Sequence, residues 1–342
     1  MRKIKRIIRV GFVVFLLIGM VWPVQAKKLK VRVGYFPNIT HAQALVGMGN
    51  GYFAQKLGSN VEIEPYLFNA GPSAMEALLA KQLDLVYVGP NPALNTYLRS
   101  KGRALRILAG ACSGGAALVL RRDRQVQCTA EFSRMKLGTP QLGNTQDIAL
   151  RYYLLENNLK SKEDGGTVAV FPSGNSNLIL LFKRGEIDGA WTVEPWVSRL
   201  VLEEEGYIFL NEDELWPQGI YPTTYLVGAV DFIKKHPQLV KEWVKAHLDL
   251  TVQLQTTPEE YMAEINREME KWMGKPLPME ILKSAFSRLH FTCRQMEEPF
   301  MLMAERAHSL GFLQEAPTDL SSIFEPTFLE KGIKELGYAE IP

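Results

Sequence analysis

Val61-Glu62-Ile63-Glu64-Pro65-Tyr66-Leu67-Phe68, the loop Asn69-Ala70-Gly71-Pro72-Ser73, the segment Ala74 to Lys81, and Leu83-Asp84-Leu85-Val86-Tyr87-Val88 ending on Gly89-Pro90-Asn91-Pro92 form one β-loop-α-β phrase. A β-rich run stops at a small polar loop, a helix-period segment follows, and an apolar run ends at a Gly/Pro turn. Pro72 suits the first turn of a helix, with Gly71 or Ser73 near the cap. The phrase returns further along the chain: Val168 to Phe171, then Pro172-Ser173-Gly174-Asn175-Ser176, then Leu178 to Arg184, then Ile187 to Val193, ending on Glu194-Pro195-Trp196. The repetition predicts two similar lobes.

The segments that precede each phrase also match. Val31 to Phe36 reads as a strand, Pro37-Asn38-Ile39-Thr40-His41 as a loop, and Ala42 to Met48 as a helix stopped by Gly49-Asn50-Gly51. Its counterpart is Lys136-Leu137-Gly138, the loop Thr139 to Thr145 and a helix from Gln146 to Asn157. Each lobe is therefore expected to be an open α/β sheet with right-handed crossovers. Ligands in such sheets sit outside the carboxyl ends of the strands, where these loops lie. Leu105 to Ala109 reads as a strand running into the loop Gly110 to Gly115, and Ala116 to Arg121 as another strand. The polar stretch Arg121 to Arg134 is read as the passage into the second lobe, and Tyr221 to Gly228 as a strand returning to the first. From Asp231 onward helical periodicity dominates (Phe232 to Leu254, Glu259 to Met273, Met279 to Leu289, Gln295 to Leu310, Ser321 to Leu336), expected as a helical part packed on the first lobe. The resulting divisions are 27–119 and 223–342 for that lobe and 120–222 for the other.

Residues 1–26 read differently. Arg2, Lys3, Lys5, Arg6 and Arg9 precede an apolar run from Val10 to Trp22 and a small-residue end at Ala26, the pattern of a secretory signal peptide cleaved after Ala26. The run is short for a bilayer span, which needs about 20 apolar residues. Its removal takes five of the 39 basic residues and no acid, leaving 34 against 37 acidic residues, a net charge of −3. That balance disfavours a nucleic-acid partner. Cys112, Cys128 and Cys293 would then enter an oxidising compartment. Cys112 with Cys128 is the preferred pair, since the two are close in sequence and flank one strand, although three free thiols fit the spacing as well.

The loops at the expected strand ends contain no Lys or Arg, and Glu194 is their only full charge. They supply hydroxyls, amides and the backbone N–H groups of four expected helix starts, near Thr40, Ser73, Thr145 and Ser176. Such starts bind anions through aligned N–H dipoles without a cationic side chain. Each alone is explained by helix capping; their recurrence in both lobes points to a shared cleft. Tyr35, Trp191 and Trp196 are the aromatic residues expected to wall it. Glu194 would either receive a ligand ammonium or cap the segment before Pro195, the structural role being favoured. Catalytic constellations are missing: there is no G-x-S-x-G, H-E-x-x-H, Walker loop or strand-following G-x-G-x-x-G, and no cofactor is expected. Of the five histidines only His41 lies on a candidate loop.

Val33-Gly34-Tyr35 with His41, Gly51-Tyr52-Phe53, Ala77-Leu78-Leu79 to Asp84 followed by Gly89 and Pro92, and above all Gly185-Glu186-Ile187-Asp188-Gly189-Ala190-Trp191 with Glu194-Pro195-Trp196 carry a resemblance. From about Lys30 to Gly228 the chain resembles the periplasmic solute-binding proteins of ABC importers for sulfonates, taurine, nitrate and related compounds. Those proteins share a fold with thiamine-pyrimidine synthesis proteins. The resemblance implies a two-lobed periplasmic binding protein fold of type II, with mixed open sheets flanked by helices and a hinge of two crossovers. It also implies a monomer that traps a small anionic solute and hands it to an inner-membrane permease. By position, Asn38, His41, Gly71, Ser73, Gly89, Asn91, Gly114, Thr139, Asn144, Thr145, Ser173 and Asn175 would line the cleft.

Within that reading an aliphatic sulfonate fits best, because neutral donors can surround a tetrahedral oxyanion whereas a carboxylate usually calls an Arg fork. Nitrate or bicarbonate would want a smaller, less aromatic site, and taurine an inward-facing acid. An enzyme of the thiamine-pyrimidine kind should lack a signal peptide and show a histidine or cysteine cluster around the cleft. A sensory module would need a separate receptor.

Overall fold

Val31, Val33 and Tyr35 are all buried along the first strand, β1 (Leu29–Tyr35), and begin a sheet covered on both faces. The computed structural model describes residues 28–341, so the leader assigned to residues 1–26 lies outside the described residues. After β1 come α1 (Ala42–Gly49), α2 (Tyr52–Leu57), β2 (Val61–Leu67), α3 (Gly71–Leu79), β3 (Leu85–Val88), α4 (Pro90–Arg99) and β4 (Leu105–Gly114). A second set follows: β5 (Ala116–Arg121), β6 (Lys136–Thr139), α5 (Thr145–Glu156), β7 (Ala169–Pro172), α6 (Asn175–Lys183), β8 (Gly189–Val193), α7 (Trp196–Leu202) and β9 (Gly206–Asn211). The chain closes with β10 (Pro222–Ala229), α8 (Val230–Lys235), α9 (Pro237–Thr256), α10 (Pro258–Met273), α11 (Met279–Phe286), β11 (Leu289–Phe291), α12 (Glu297–Ser309) and α13 (Thr327–Leu336).

Two sheets result. The first runs β11-β4-β10-β3-β1-β2 and the second β7-β6-β8-β5-β9. Read from β2 and from β7 they repeat one another: β1 is parallel to β2 and β3, β6 is parallel to β7 and β8, and an antiparallel strand, β10 or β5, follows in each. The repeated phrase of the sequence is this repeated β-α-β unit. Helices pack on both faces of each sheet. Val31, Val33 and Tyr35 meet Leu45, Trp243 and Ile265 on one side of the first, and Val86 and Val88 meet Met75, Leu94 and Phe300 on the other. The second is likewise covered, with Phe182 and Leu200 in one cluster and Leu150 and Trp191 in the other.

The structure corrects several expected elements. The stretch Gly110 to Gly115, expected as a loop, is mostly strand: β4 continues to Gly114, and a Cβ at Gly110 would lie 2.2 Å from the Arg294 carbonyl oxygen. The chain changes sheet at Gly114–Gly115, ahead of the polar stretch, with φ of 79° and 77° at these glycines. It returns between β9 and β10. The expected helix Met279 to Leu289 stops at Phe286, and Leu289–Phe291 instead adds an edge strand to β4. In the C-terminal part, α9 and α13 pack on the first lobe while α11 contacts α7 and α12 contacts α5, so this part touches both lobes. All three cysteines are free: Cys112 is buried in β4, whereas Cys128 is exposed.

Glu194 lies at the sheet change and is fully buried. Its amide donates to the Gly115 carbonyl at 2.9 Å, and its carboxylate accepts from Arg288 Nε at 2.7 Å and from the Ser198 amide at 3.1 Å. Arg288 also donates to the hydroxyls of Ser198 and Ser284 at 3.0 and 2.9 Å. Burial pushes the Glu194 carboxyl up and Arg288 opposes that shift. Arg288→Ala leaves a buried carboxylate without its cation, so urea denaturation should show a loss of about 3–5 kcal/mol at pH 8. In that variant the folded state keeps Glu194 protonated to higher pH than the unfolded chain does. The loss is therefore smallest below the unfolded carboxyl's pKa and grows as pH rises; a pH-independent loss would contradict this assignment.

Candidate functional site

The carboxyl ends of β1 and β3 in one lobe face those of β6 and β8 in the other, and the loops and helix starts beyond them enclose a cavity of about 20 Å³. That is room for about one water with the lobes as they stand, so a larger head group enters only where the lobes part further. Its walls are Phe36, Asn38, Thr40, His41, Asn69, Gly71, Gly89 and Pro92 from the first lobe, with Thr223 and Thr224 of the return strand β10. The second lobe contributes Pro140, Asn144, Thr145, Gln146, Asn175 and Val193. No Lys, Arg, Asp or Glu is among these walls.

Local sequence explains the polarity. The helices that start here are capped in different ways. Asn144 accepts from the Gln146 amide at 3.3 Å, whereas Ala70 and Gly174 precede α3 and α6 with no side-chain cap. Asn38 does not cap the short turn Ile39–His41 either, because its Oδ1 accepts from Trp196 Nε1 at 2.8 Å across the lobes. The first turns thus leave N–H groups that no side chain satisfies, beside a neutral wall. The Thr145 and Thr224 hydroxyls are buried without a hydrogen-bond partner. A buried hydroxyl left unpaired is costly unless something it binds completes it.

His41 is buried, and burial lowers its pKa to about 3. Its Nδ1 accepts from the Phe36 amide at 3.4 Å, which assigns the hydrogen of the neutral ring to Nε2 and makes His41 a donor. The cavity therefore offers neutral donors: hydroxyls, amides, an imidazole N–H and helix N-termini.

Of the residues named from sequence, Asn38, His41, Gly71, Gly89, Asn144, Thr145 and Asn175 come together around this cavity. The other expected residues are placed elsewhere. Ser73 turns back to donate to the Ala70 carbonyl at 3.0 Å, and Ser173 is half-buried, its hydroxyl accepting from the Asn177 side-chain amide. Thr139 donates to Asp147 at 2.9 Å, and Asn91 is buried in the first turn of α4. Gly114 lies at the sheet change, its carbonyl accepting from Thr223 Oγ1 at 2.6 Å. Tyr35 belongs to the core of the first lobe and Trp191 to that of the second, where its Nε1 donates to Glu212 at 2.7 Å. Burial raises the Glu212 carboxyl to about 7. Glu194 holds Arg288 and is not available to a ligand. Trp196 borders an outer chamber next to the cavity.

Thr40 marked one of the expected helix starts, whereas Gln146, Thr223 and Thr224 were not anticipated as cavity residues. Thr223 and Thr224 lie at the start of the strand that returns from the second lobe, and the sequence reading placed that strand without placing its first residues in the cleft.

A model of the NMT1-like family matches residues 24–267. The chain belongs to that family. This NMT1-like chain is 23% identical to the taurine-binding periplasmic protein of Escherichia coli over 66% of its own length, and it spans 66% of that relative. Its fold matches the alkanesulfonate-binding protein SsuA from Xanthomonas axonopodis pv. citri bound to MOPS, with TM-score 0.70, 15% identity, and coverage of 85% of this chain and 96% of that one. It also matches the periplasmic nitrate-binding protein NrtA from Synechocystis PCC 6803, with TM-score 0.75, 13% identity, and coverage of 91% and 89%. At these identities the likeness is one of fold, the two-lobed periplasmic binding architecture.

Gly89 and Thr145 face each other from opposite lobes, and a Cβ on Gly89 would stand 2.6 Å from Thr145 Oγ1. The backbone of Gly89, at φ −68° and ψ 158°, accepts alanine without strain. Gly89→Ala should therefore fold normally but hold the lobes apart, weakening ligand binding by about tenfold or more in calorimetry. Unchanged affinity would mean that the lobes need not meet here.

Proposed function

We propose that this NMT1-like chain is the solute-binding protein of an ABC importer, exported to the periplasm with its leader removed after Ala26. It captures a small anion between its lobes as a monomer and delivers it to an inner-membrane permease. An anion with a sulfonate head fits best. The observation that carries this reading is the cavity wall, made from helix N-termini and neutral donors, with the Thr145 and Thr224 hydroxyls buried and unpaired beside it. A sulfonate has three acceptor oxygens to give them and needs no guanidinium fork, whereas a carboxylate usually has one in such sites. Trapping by closure is supported by the contacts already made across the lobes, Trp196 to Asn38 and Gly89 beside Thr145.

A binding role, without chemistry on the solute, is supported by the state of His41 and of the buried thiols. His41 is held neutral with its pKa down at about 3 and is a weak base at neutral pH. The thiols of Cys112 and Cys293 are pushed up by burial, the latter to about 12, which leaves them poor nucleophiles.

Thermal denaturation of residues 27–342 against alkanesulfonates, taurine, nitrate, bicarbonate and a thiamine-type pyrimidine tests the reading. A sulfonate at 100 times its dissociation constant should stabilise the fold by about 2.7 kcal/mol, and Thr145→Val should remove most of that gain. Stabilisation by the pyrimidine alone, or by a carboxylate in preference to every sulfonate, would overturn it.

A further inference from the structure

Outside the cavity lies a second chamber of about 510 Å³. Asn38, Asn69 and Asn175 border both spaces, so their amides form the partition between them. The two spaces differ in size and chemistry. The inner one holds about one water and is neutral and polar. The outer one has the volume of a site for an organic molecule. It is walled by Phe68 and Trp272 from the first lobe and Trp196 from the second, with the cations Arg199 and Lys275 at its border.

We infer that the solute carries a flat, apolar body behind its anionic head, and that Trp196 and Trp272 seat that body in the outer chamber. The inference rests on the head-group reading above and adds the class of tail. A small inorganic oxyanion would use the inner cavity and leave this chamber empty. Trp272 supports an occupant in particular. It is 54% exposed, and among the described residues its indole makes no ring contact or hydrogen bond, an unfavourable place for a large aromatic side chain unless a ligand covers it. Trp196, by contrast, is fixed, with its Nε1 on Asn38 and the Arg199 guanidinium 5.2 Å from its ring centroid. Arg199 is neutralised by Glu203 at 2.7 Å, whereas Lys275 has no carboxylate partner among the described residues and favours a ligand with net negative charge. Trp272 and Lys275 lie at the end of α10 and just beyond it, past the residues matched by the family model. This wall of the chamber is thus a feature through which the chain can differ from its relatives in the tail it selects. A body placed there would touch both lobes and favour their closure over the head.

Titration calorimetry with methanesulfonate and naphthalene-2-sulfonate, which share a head and differ in body, tests the inference on residues 27–342. The aryl compound should bind about tenfold tighter or more, the effect of one well-placed aromatic contact together with its apolar area. Trp272→Ala, an exposed position, should remove that advantage and change methanesulfonate affinity by less than about twofold, while Trp272→Phe should restore most of it. If methanesulfonate binds as tightly as the aryl compound, or Trp272→Ala weakens both equally, the tail assignment falls and the head-group reading stands. If neither sulfonate binds, both fall.

Discussion

The carboxylate of Glu194, fully buried where the chain passes between its sheets, has to meet a cation, and Arg288 is the cation it meets. That requirement ties together parts of the chain that are remote in sequence. Glu194 follows β8 of the second lobe, and its amide holds the first crossover through Gly115. Arg288 lies just ahead of β11, the edge strand of the first. Through the hydroxyls of Ser198 and Ser284 the same guanidinium joins α7 to α11. The positive-φ pair Gly114–Gly115 supplies the bend, and the ion pair supplies the position in which the bend is held. An isolated buried carboxylate would be strongly unfavourable, so the lobes cannot be moved far at this point without replacing the partner.

With the crossover held in this way, the loops beyond the neighbouring strand ends converge. The convergence follows from repetition: two β-α-β units of the same order place equivalent loops at the carboxyl ends of equivalent strands, facing each other. Because α3 and α6 are preceded by Ala and Gly, and the turn Ile39–His41 by an Asn engaged elsewhere, N–H dipoles at these starts remain free to act on what lies between the lobes, α5 alone being capped by Asn144. A neutral site of this kind discriminates by geometry and hydrogen-bond count. In the proposed reading the inner cavity and outer chamber divide that task, the first reading a head and the second a body.

The repeated phrases at Val61 to Pro92 and Val168 to Trp196 made the paired sheets legible, since each carries its strand, loop, helix and strand signals in order. The cleft loops were legible for the same reason. What was hidden depends on partners distant in sequence. Trp191 and Trp196 look alike in the sequence, but every residue of β8 is buried, so alternation along it does not reveal which aromatic faces the cleft. Trp191 finds Glu212 in the core, and Trp196, one turn past the strand, finds Asn38 of the other lobe. The three residues of β11 carry too short a pattern to separate from the helix before them. The return strand holding Thr223 and Thr224 was legible, but nothing in its own pattern shows that its first residues reach the cavity. Nor does Glu194 disclose that its counter-charge lies 94 residues away.

In the proposed reading a neutral, dipole-lined cavity holds the anionic head. A crystal structure of residues 27–342 with a bound sulfonate tests it most directly. The sulfonate oxygens are expected within hydrogen-bonding distance of Thr145 Oγ1, Thr224 Oγ1 and the first-turn amides of α3 or α6, with no Lys or Arg side chain touching the head. A head group found against Lys275 or Arg199, or in the groove bordered by Lys28, Arg103 and Lys235 at the far end of the first lobe, would contradict it.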